Sequence, residues 1–266
     1  MPSVILTRPT QRLTTADNTF SILLRDKGIE VIELPMIQID YPKDTRDLDC
    51  VLSQLAKNEF EYCVLASPTA IDFFHTRVTD LGLADSIRAT VGFGTVGEKS
   101  AAKLADYGYR VDIPLPHENA GAAALLTSLR SFNIEGKKTL ILQSQIGMKV
   151  LSRAFEMCKA DIEHQVLYET TGPTLQNAAR MIHLLEELGE SRPDVVAFFS
   201  PSAVQSFTKT LVQMNSQLRN SLPALAAIGE TTAMDLRIFL QQEPAIVARK
   251  ATQESLAEDI ISYLYH

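Results

Sequence analysis

The sequence contains no tryptophan, few cysteines and no long apolar run. Its three cysteines, Cys50, Cys63 and Cys158, are widely spaced and form no CxxC pair, which argues against a disulfide framework and favours a reducing, cytoplasmic compartment. No stretch approaches the roughly 18 apolar residues that a membrane-spanning helix needs. The opening MPSVILTRPT lacks the basic segment and long apolar run of a signal peptide, so none is predicted.

The sequence also lacks an excess of basic charge. Its 25 lysines and arginines are outnumbered by 32 aspartates and glutamates, which gives a formal net charge of −7. A nucleic-acid or membrane partner is therefore not expected. The five histidines show no metal-ligand spacing, and HExxH, P-loop and GxSxG motifs are all missing from the sequence. Metal-dependent hydrolysis, phosphoryl transfer and serine hydrolysis lack support, and we predict no metal site.

What the sequence does contain is a regular alternation of short apolar runs with helix-like stretches. A chain of 266 residues is long for one domain and suits two of about 130 residues each. Repeated strand-then-helix units predict an α/β fold with parallel sheets. An extended stretch at 30–39 is interrupted by Pro35, and the last part of the chain predicts a helix over 230–240 and a strand over 245–248.

Two short motifs each occur twice. SPTA at 67–70 and SPSA at 200–203 both follow an apolar run, and VGEKSAAKL at 96–104 corresponds to IGETTAMDL at 228–236. The two pairs have nearly the same separation along the chain. KKTLILQS at 137–144 likewise corresponds to the opening SVILTR. The chain therefore reads as two copies of one five-strand unit, and we expect two similar lobes that face each other across a cleft.

The repeated motifs place helix starts at the carboxyl ends of strands. In S-P-x-A, the serine suits the N-cap and the proline suits the first helical position. The amide groups of such a turn attract anions, and ligands of open α/β sheets bind at this edge. In the second motif, Gly97 and Gly229 end a strand, and Ser100, Thr231 and Thr232 bring hydroxyl groups to the next helix start. Taken alone, a single S-P-x-A motif indicates no more than a well-capped helix, and the glycine motif is explained at least as well by structure as by binding.

Three further features each have a functional and a plain interpretation. GFGTVG at 92–97 matches GxGxxG, but no completed strand precedes its first glycine, so dinucleotide binding is disfavoured. Arg8 follows the first strand, where it could pair with a carboxylate or lie on the surface. Tyr168 lies in the extended stretch QVLYET, where it could donate its phenolic proton to a leaving group or simply pack.

A set of motifs, taken in order and spacing, resembles the uroporphyrinogen-III synthase family over essentially the whole chain. The motifs are LTRP at 6–9, VIELP at 31–35, SPTA at 67–70, VGEKSA at 96–101, LYET at 167–170, FFSPSAV at 198–204 and AAIGETTA at 226–233. The resemblance implies two flavodoxin-like lobes with parallel sheets, joined by a two-stranded β linker. It places 1–36 and 171–266 in one lobe, 41–164 in the other, and 37–40 and 165–170 in the linker.

The resemblance also implies an activity and a set of site residues. The family closes the linear tetrapyrrole hydroxymethylbilane with loss of water, inverting the last pyrrole through a spiro intermediate, and it uses neither a metal nor an organic cofactor. Tyr168 matches the tyrosine that assists departure of the hydroxyl group. The expected substrate-binding residues are Thr7, Arg8, Ser67, Pro68, Thr69, Gly97, Lys149, Ser200, Ser202, Gly229, Thr231 and Thr232. We expect a cytoplasmic monomer.

The chain departs from the family pattern in one loop. Many relatives carry an Arg-Gly pair and then a Gly-Arg pair after the strand at 138–142, whereas this chain has Gln143, Ser144, Gly147 and Met148 there. Lys149 replaces the lost positive charge only partly, which puts substrate binding by this loop in doubt. Two alternatives stay open from the sequence: a relative that binds tetrapyrroles without turning them over, and a two-lobed binding protein for a small anion.

Overall fold

The structure, a computed structural model, describes residues 1–9, 19–116, 121–145, 149–187, 192–214 and 216–265. Within these ranges only the backbone is described at 114, 121–123, 149–150, 216 and 220. The chain divides into two compact units. Unit 1 comprises Met1–Ile39 and Thr171–His266, and unit 2 comprises Asp40–Thr170.

Strands and helices alternate through both units. The strands are β1 (Ser3–Leu6), β2 (Glu30–Glu33), β3 (Gln38–Asp40), β4 (Tyr62–Leu65), β5 (Gly92–Val96), β6 (Val111–Leu115), β7 (Lys138–Ser144), β8 (Asp161–Thr171), β9 (Val195–Phe198), β10 (Ala224–Ala227) and β11 (Ile246–Val247). The helices are α1 (Thr19–Asp26), α2 (Arg46–Ala56), α3 (Pro68–Asp80), α4 (Ala84–Thr90), α5 (Glu98–Asp106), α6 (Gly121–Phe132), α7 (Lys149–Met157), α8 (Leu175–Glu186), α9 (Pro201–Met214), α10 (Glu230–Asp235) and α11 (Gln253–Tyr265). None of these helices has the length and apolar character that crossing a membrane requires.

The sheet of unit 1 has the strand order β11-β10-β9-β1-β2, and all four pairings are parallel. Numbered along the chain within the unit, this is the order 2-1-3-4-5 that flavodoxin-like sheets share. Successive residues of β1 face opposite sides: Ile5 packs with Phe207 of α9, and Val4 packs with Phe20 of α1. Because helices cover both faces, β1 is buried throughout.

The second sheet has the order β3-β8-β7-β4-β5-β6, and its last five strands, which pair in parallel, form the sheet of unit 2. When the count starts at β7, these five strands again give 2-1-3-4-5. Strand β7 therefore corresponds to β1 and β4 to β9, which is the correspondence that the sequence repeats predict. The α/β prediction with two duplicated, parallel-stranded lobes is confirmed. The chain enters unit 2 along β3 and leaves it along β8, which are neighbours in this sheet.

Two local predictions needed correction, and one helix was not predicted. The helix predicted over 230–240 changes at Leu236 into a π-helical segment that runs to Leu240. Arg219 donates to the carbonyl oxygens of Phe239 and Leu240, which are among the last carbonyl groups that a helix leaves without an internal partner. The strand predicted over 245–248 is only two residues long. Helix α4, which we did not predict, follows a glycine at φ 68°.

Candidate functional site

The predicted site residues lie at the carboxyl edges of both sheets. In sheets of this order, ligands bind where the strand order reverses, between the first and third strands of the unit. In unit 1 this reversal lies between β1 and β9, which are followed by Arg8 and Ser200 respectively. In unit 2 it lies between β7 and β4, and Ser67 follows β4. Corresponding residues of the two repeats thus occupy corresponding positions.

The two S-P-x-A motifs form the same capped turn. Ser67 Oγ accepts a hydrogen bond from the Ala70 amide at 3.1 Å, and Ser200 Oγ accepts one from the Ala203 amide at 3.2 Å. Proline occupies the first helical position and has no N–H to offer. The interpretation as a capped helix is therefore correct for both. In each turn, one backbone amide of the first helical turn is not bonded to the capping serine. It belongs to Thr69 in α3 and to Ser202 in α9, and both of these residues also carry a hydroxyl group.

The two glycine motifs leave more donors available. Gly97 and Gly229 are the N-cap residues of α5 and α10, and having no side chain they cannot accept from the first turn. Gly97 has φ 78°, a conformation that other residues adopt at a cost. The following carboxylates, Glu98 and Glu230, stand in the first turns, and Glu230 is paired with Arg237. Of these two helix starts, only α5 begins a helix of more than two turns.

The hydroxyl groups beside these glycines are not equally accessible. Ser100 and Thr232 are each 3% exposed, so their side chains belong to the interior. Thr231 is exposed. Of the two threonines in IGETTA, Thr231 is therefore the one that can meet a ligand directly.

Thr7 and Arg8 have different roles at the end of β1. Thr7 is fully buried, and its Oγ1 donates to the carbonyl oxygen of Ala197 at 2.8 Å, which ties β1 to β9 at the reversal point. Its side chain is therefore not open to solvent. Arg8 is half-buried, and its Nη1 donates to Gln253 Oε1 at 3.2 Å at the start of α11. A guanidinium at this edge offers a planar pair of donors to a carboxylate.

Tyr168 projects from β8 at a β-bulge. Gln143 of β7 is in register with Val166, but the next residue, Ser144, is in register with Tyr168, so Leu167 is the extra residue. Bulges of this kind redirect side chains and occur next to active sites. The Tyr168 hydroxyl lies 3.5 Å from Ser67 Oγ, which is longer than an ordinary O–H···O bond. The phenol therefore reaches the reversal point of unit 2.

Aromatic residues of unit 2 hold the Tyr168 ring. The ring centroid of Tyr168 lies 5.3 Å from that of Phe73 on α3. Phe73 in turn makes an edge contact with Tyr41 at 4.9 Å, and the Tyr41 hydroxyl donates to the Phe73 carbonyl oxygen at 2.7 Å. Burial, with the nearby charge of Asp80, raises the pKa of Tyr41 well above its usual value, so Tyr41 stays a neutral donor.

A cavity of about 320 Å³ lies beside Gly97 in unit 2, at the ends of β5 and β6. It is bounded by Thr95, Gly97, Glu98, Ala101, Leu115, Pro116, Ala124 and Ser128. GFGTVG itself is not a phosphate-binding loop, because Gly92 and Gly94 lie inside β5 and are buried. A Cβ atom on Gly94 would lie 3.1 Å from Val64, so this glycine serves close strand packing.

A second polar cluster of unit 2 was not predicted. Its centre is the stacked pair His75 and Tyr107, with ring centroids 3.9 Å apart. The Tyr107 hydroxyl donates to buried Asp72, which also pairs with Lys103. Burial and then the charge of Arg88 lower the pKa of His75, against the opposing effect of Asp72. The sequence gives no signal for this cluster, because its members are spread over α3, α4 and the end of α5.

The remaining predicted residue, Lys149, is the first residue of α7, and its side chain lies outside the described atoms, as do Gly147 and Met148 entirely. Within the described ranges, no group of three or more His, Cys, Asp or Glu residues is arranged to hold a metal ion. Sequence reasoning missed Gln145 and Gln253, which contact the segment of Tyr168 and the side chain of Arg8.

Comparison with known proteins gives a consistent result. The family model for "Uroporphyrinogen-III synthase HemD" matches residues 18–258. A uroporphyrinogen-III synthase of Synechococcus elongatus is 26% identical over 247 residues, which cover 87% of this chain and 85% of the relative.

Two solved structures share the fold. A mutant uroporphyrinogen III synthase of the extremely thermophilic bacterium Thermus thermophilus superposes with a TM-score of 0.64 at 14% identity, covering 99% of both chains. Uroporphyrinogen-III synthetase of Helicobacter pylori 26695 superposes with a TM-score of 0.59 at 15% identity, covering 99% of this chain and 100% of the other. At these identities the likeness concerns the fold alone.

Proposed function

Because the chain belongs to the uroporphyrinogen-III synthase family, whose cyclising lyases act on a tetrapyrrole, we propose that it converts hydroxymethylbilane to uroporphyrinogen III. The reaction inverts the last pyrrole ring and releases water. The observation that carries the proposal is the Tyr168 phenol, which the β8 bulge brings to within 3.5 Å of Ser67 Oγ at the strand-order reversal of unit 2. A proton donor at this edge is what departure of a hydroxyl group requires.

In the proposed mechanism, Tyr168 donates a proton at the start and regains one at the end. The phenol gives its proton to the hydroxymethyl oxygen, the C–O bond breaks, and water leaves. The remaining methylene carbon, conjugated with its pyrrole, is attacked by an electron-rich carbon of the last ring to form the spiro intermediate. That intermediate opens and closes again with the last ring inverted. The proton that the closing carbon loses as the ring regains aromaticity returns to the phenolate.

The substrate's carboxylates are bound mainly by neutral groups in this proposal. The first-turn amides after Gly97 and Gly229, the Thr69 and Ser202 amides, and Arg8 are the donors at the two sheet edges. Such groups suit a polyanion on a chain of net charge −7, because the attraction is local. The proposed binding set is that of the sequence analysis, with Lys149 as a further cation, except that the buried side chains of Thr7 and Thr232 shape the sheet edges and do not meet the substrate.

The chain's own contribution is chiefly to position the substrate. Hydroxymethylbilane loses water and closes without help to the symmetric isomer I, so the protein must favour the inverting path over direct closure. This chemistry requires no metal and no organic cofactor, since leaving group and nucleophile are both on the substrate. That the protein acts as a cytoplasmic monomer, without nucleic acid, stays a prediction.

A coupled assay tests the proposal. Hydroxymethylbilane is generated in situ, and the product isomers are oxidised and separated by chromatography. We expect isomer III to dominate at low protein concentration. Formation of isomer I alone, at the rate of a protein-free control, would refute the proposed enzymatic activity. If the protein then still bound tetrapyrrole in a fluorescence titration, the alternative of a non-catalytic tetrapyrrole-binding relative would replace the proposal.

A further inference from the structure

We propose that Gln145 is a positioning residue for Tyr168, an inference that rests on the proposed function. Gln145 follows β7 directly and makes three hydrogen bonds to the end of β8. Its backbone amide donates to the Tyr168 carbonyl oxygen at 3.3 Å. Its side-chain Nε2 donates to the Thr170 carbonyl oxygen at 2.7 Å, and its Oε1 accepts from the Thr170 amide at 2.8 Å.

These contacts replace a missing strand. The N–H and C=O groups of one residue in an extended chain point to the same side of the strand. Strand β7 ends at Ser144, so at Thr170 of β8 no residue of β7 lies on that side to bond these groups. The primary amide of Gln145 offers a donor and an acceptor together, as a neighbouring strand would. The residues on either side of Glu169 are thus both fixed by Gln145.

The β-bulge makes this fixation necessary. A bulge interrupts the ladder and bends the strand that carries the extra residue. Here the interruption at Leu167 directly precedes Tyr168, so the ladder alone holds the tyrosine weakly. The other contacts of the Tyr168 side chain are the ring contact with Phe73 and the 3.5 Å approach of its hydroxyl group to Ser67 Oγ. Gln145 therefore sets the direction in which the phenol leaves the strand.

Two substitutions separate the parts of the Gln145 contact. Gln145→Leu keeps the side-chain size and removes both side-chain hydrogen bonds. Gln145→Glu keeps the acceptor for the Thr170 amide but places a carboxylate oxygen against the Thr170 carbonyl oxygen. Gln165→Leu is the control, because Gln165 lies on the same strand and its side chain donates to the carbonyl oxygen of the adjacent Val166.

A double-mutant cycle with Tyr168→Phe tests the inference through activity. We expect Gln145→Leu to lower kcat for isomer III by about 10- to 100-fold with little change in KM, because small displacements of a proton donor are costly. In the Tyr168→Phe background the same change should have no further effect on kcat. A raised KM, or losses that multiply in the double variant, would assign Gln145 to substrate contact and overturn the inference.

A spectroscopic readout tests it without turnover. In protein labelled at the tyrosine ring carbons, the Tyr168 resonance is identified by its loss in Tyr168→Phe. We expect this resonance to shift or broaden in Gln145→Leu and Gln145→Glu and to stay unchanged in Gln165→Leu. An unmoved resonance in both Gln145 variants would overturn the inference. If Tyr168→Phe itself had full activity, the proton-donor role would fail, whereas the resonance would still report on positioning.

Discussion

The two units share one strand order and differ in how far one strand continues. In unit 1, β2 has four residues and ends at Glu33, although the amides of Leu34 and Met36 still donate to the carbonyl oxygens of Leu6 and Thr7. In unit 2, the corresponding β8 has eleven residues, continues past the end of β7 and carries Tyr168. Duplication supplied the same helix-start turns twice, and the longer strand places Tyr168 in only one copy. We therefore expect changes in unit 2 to affect turnover and changes in unit 1 to affect substrate binding.

The largest expected effect comes from removing the phenolic hydroxyl of unit 2. Tyr168→Phe keeps the ring contact with Phe73 and should lower kcat for isomer III by about 100-fold or more, since it removes the general acid. The product should shift toward isomer I as uncatalysed closure overtakes the enzyme. Tyr263→Phe, at an exposed position on α11, is the matched control. Equal isomer III formation by both variants would assign Tyr168 to packing.

In unit 1, the counterpart is the guanidinium at the end of β1. Arg8→Gln should raise KM about 10-fold and leave kcat nearly unchanged, because a charge-assisted hydrogen bond to a substrate carboxylate is lost. Arg8→Lys should recover part of the loss, and the KM of the original protein should rise with salt. Arg25→Gln, exposed on α1, controls for net charge. A fall in kcat at constant KM would contradict the assigned division between the units.

A smaller effect should distinguish the two serine caps. Ser67→Ala and Ser200→Ala each remove a hydrogen bond to a first-turn amide and should lower the free energy of unfolding by about 1 kcal/mol. Urea unfolding would measure this loss. Ser67→Ala should also slow turnover a few-fold, because Ser67 Oγ faces the Tyr168 hydroxyl. If Ser200→Ala slowed turnover as much as Ser67→Ala, with an equal free energy of unfolding in the two variants, the approach of Ser67 to Tyr168 would have no special role in turnover.

How well the sequence predicted each feature of the structure depends on how far apart along the chain the interacting residues lie. Apolar runs and repeated motifs predicted the parallel sheets, the duplication and both serine caps, since these depend on neighbouring residues. The sequence placed Tyr168 on a strand but did not reveal the bulge that directs it, because a bulge depends on register with β7. Thr7 was predicted to bind substrate, and only the pairing of β1 with β9 reveals how its hydroxyl is used.

The smallest expected effect is a difference in pH dependence between the units. The pKa of His75 is lowered by burial and then by the charge of Arg88. In the unfolded chain this histidine has its ordinary pKa of about 6.5, so between pH 7 and 5 the unfolded chain binds a proton more readily than the folded one. The stabilising contribution is complete above that value and is lost as the pH falls. His75 also faces Asp72, Tyr107 and Tyr109, of which only Asp72 acts against the shift.

Acidification from pH 7.5 to 5 should therefore weaken unit 2, and His75→Phe should reduce this sensitivity, because phenylalanine keeps the stacking on Tyr107 and cannot bind a proton. Urea midpoints at the two pH values, followed by hydrogen exchange to separate the units, measure the effect. His164→Phe, at an exposed position on β8, is the control. Identical pH slopes in His75→Phe and the original protein would mean that another group governs acid sensitivity in unit 2.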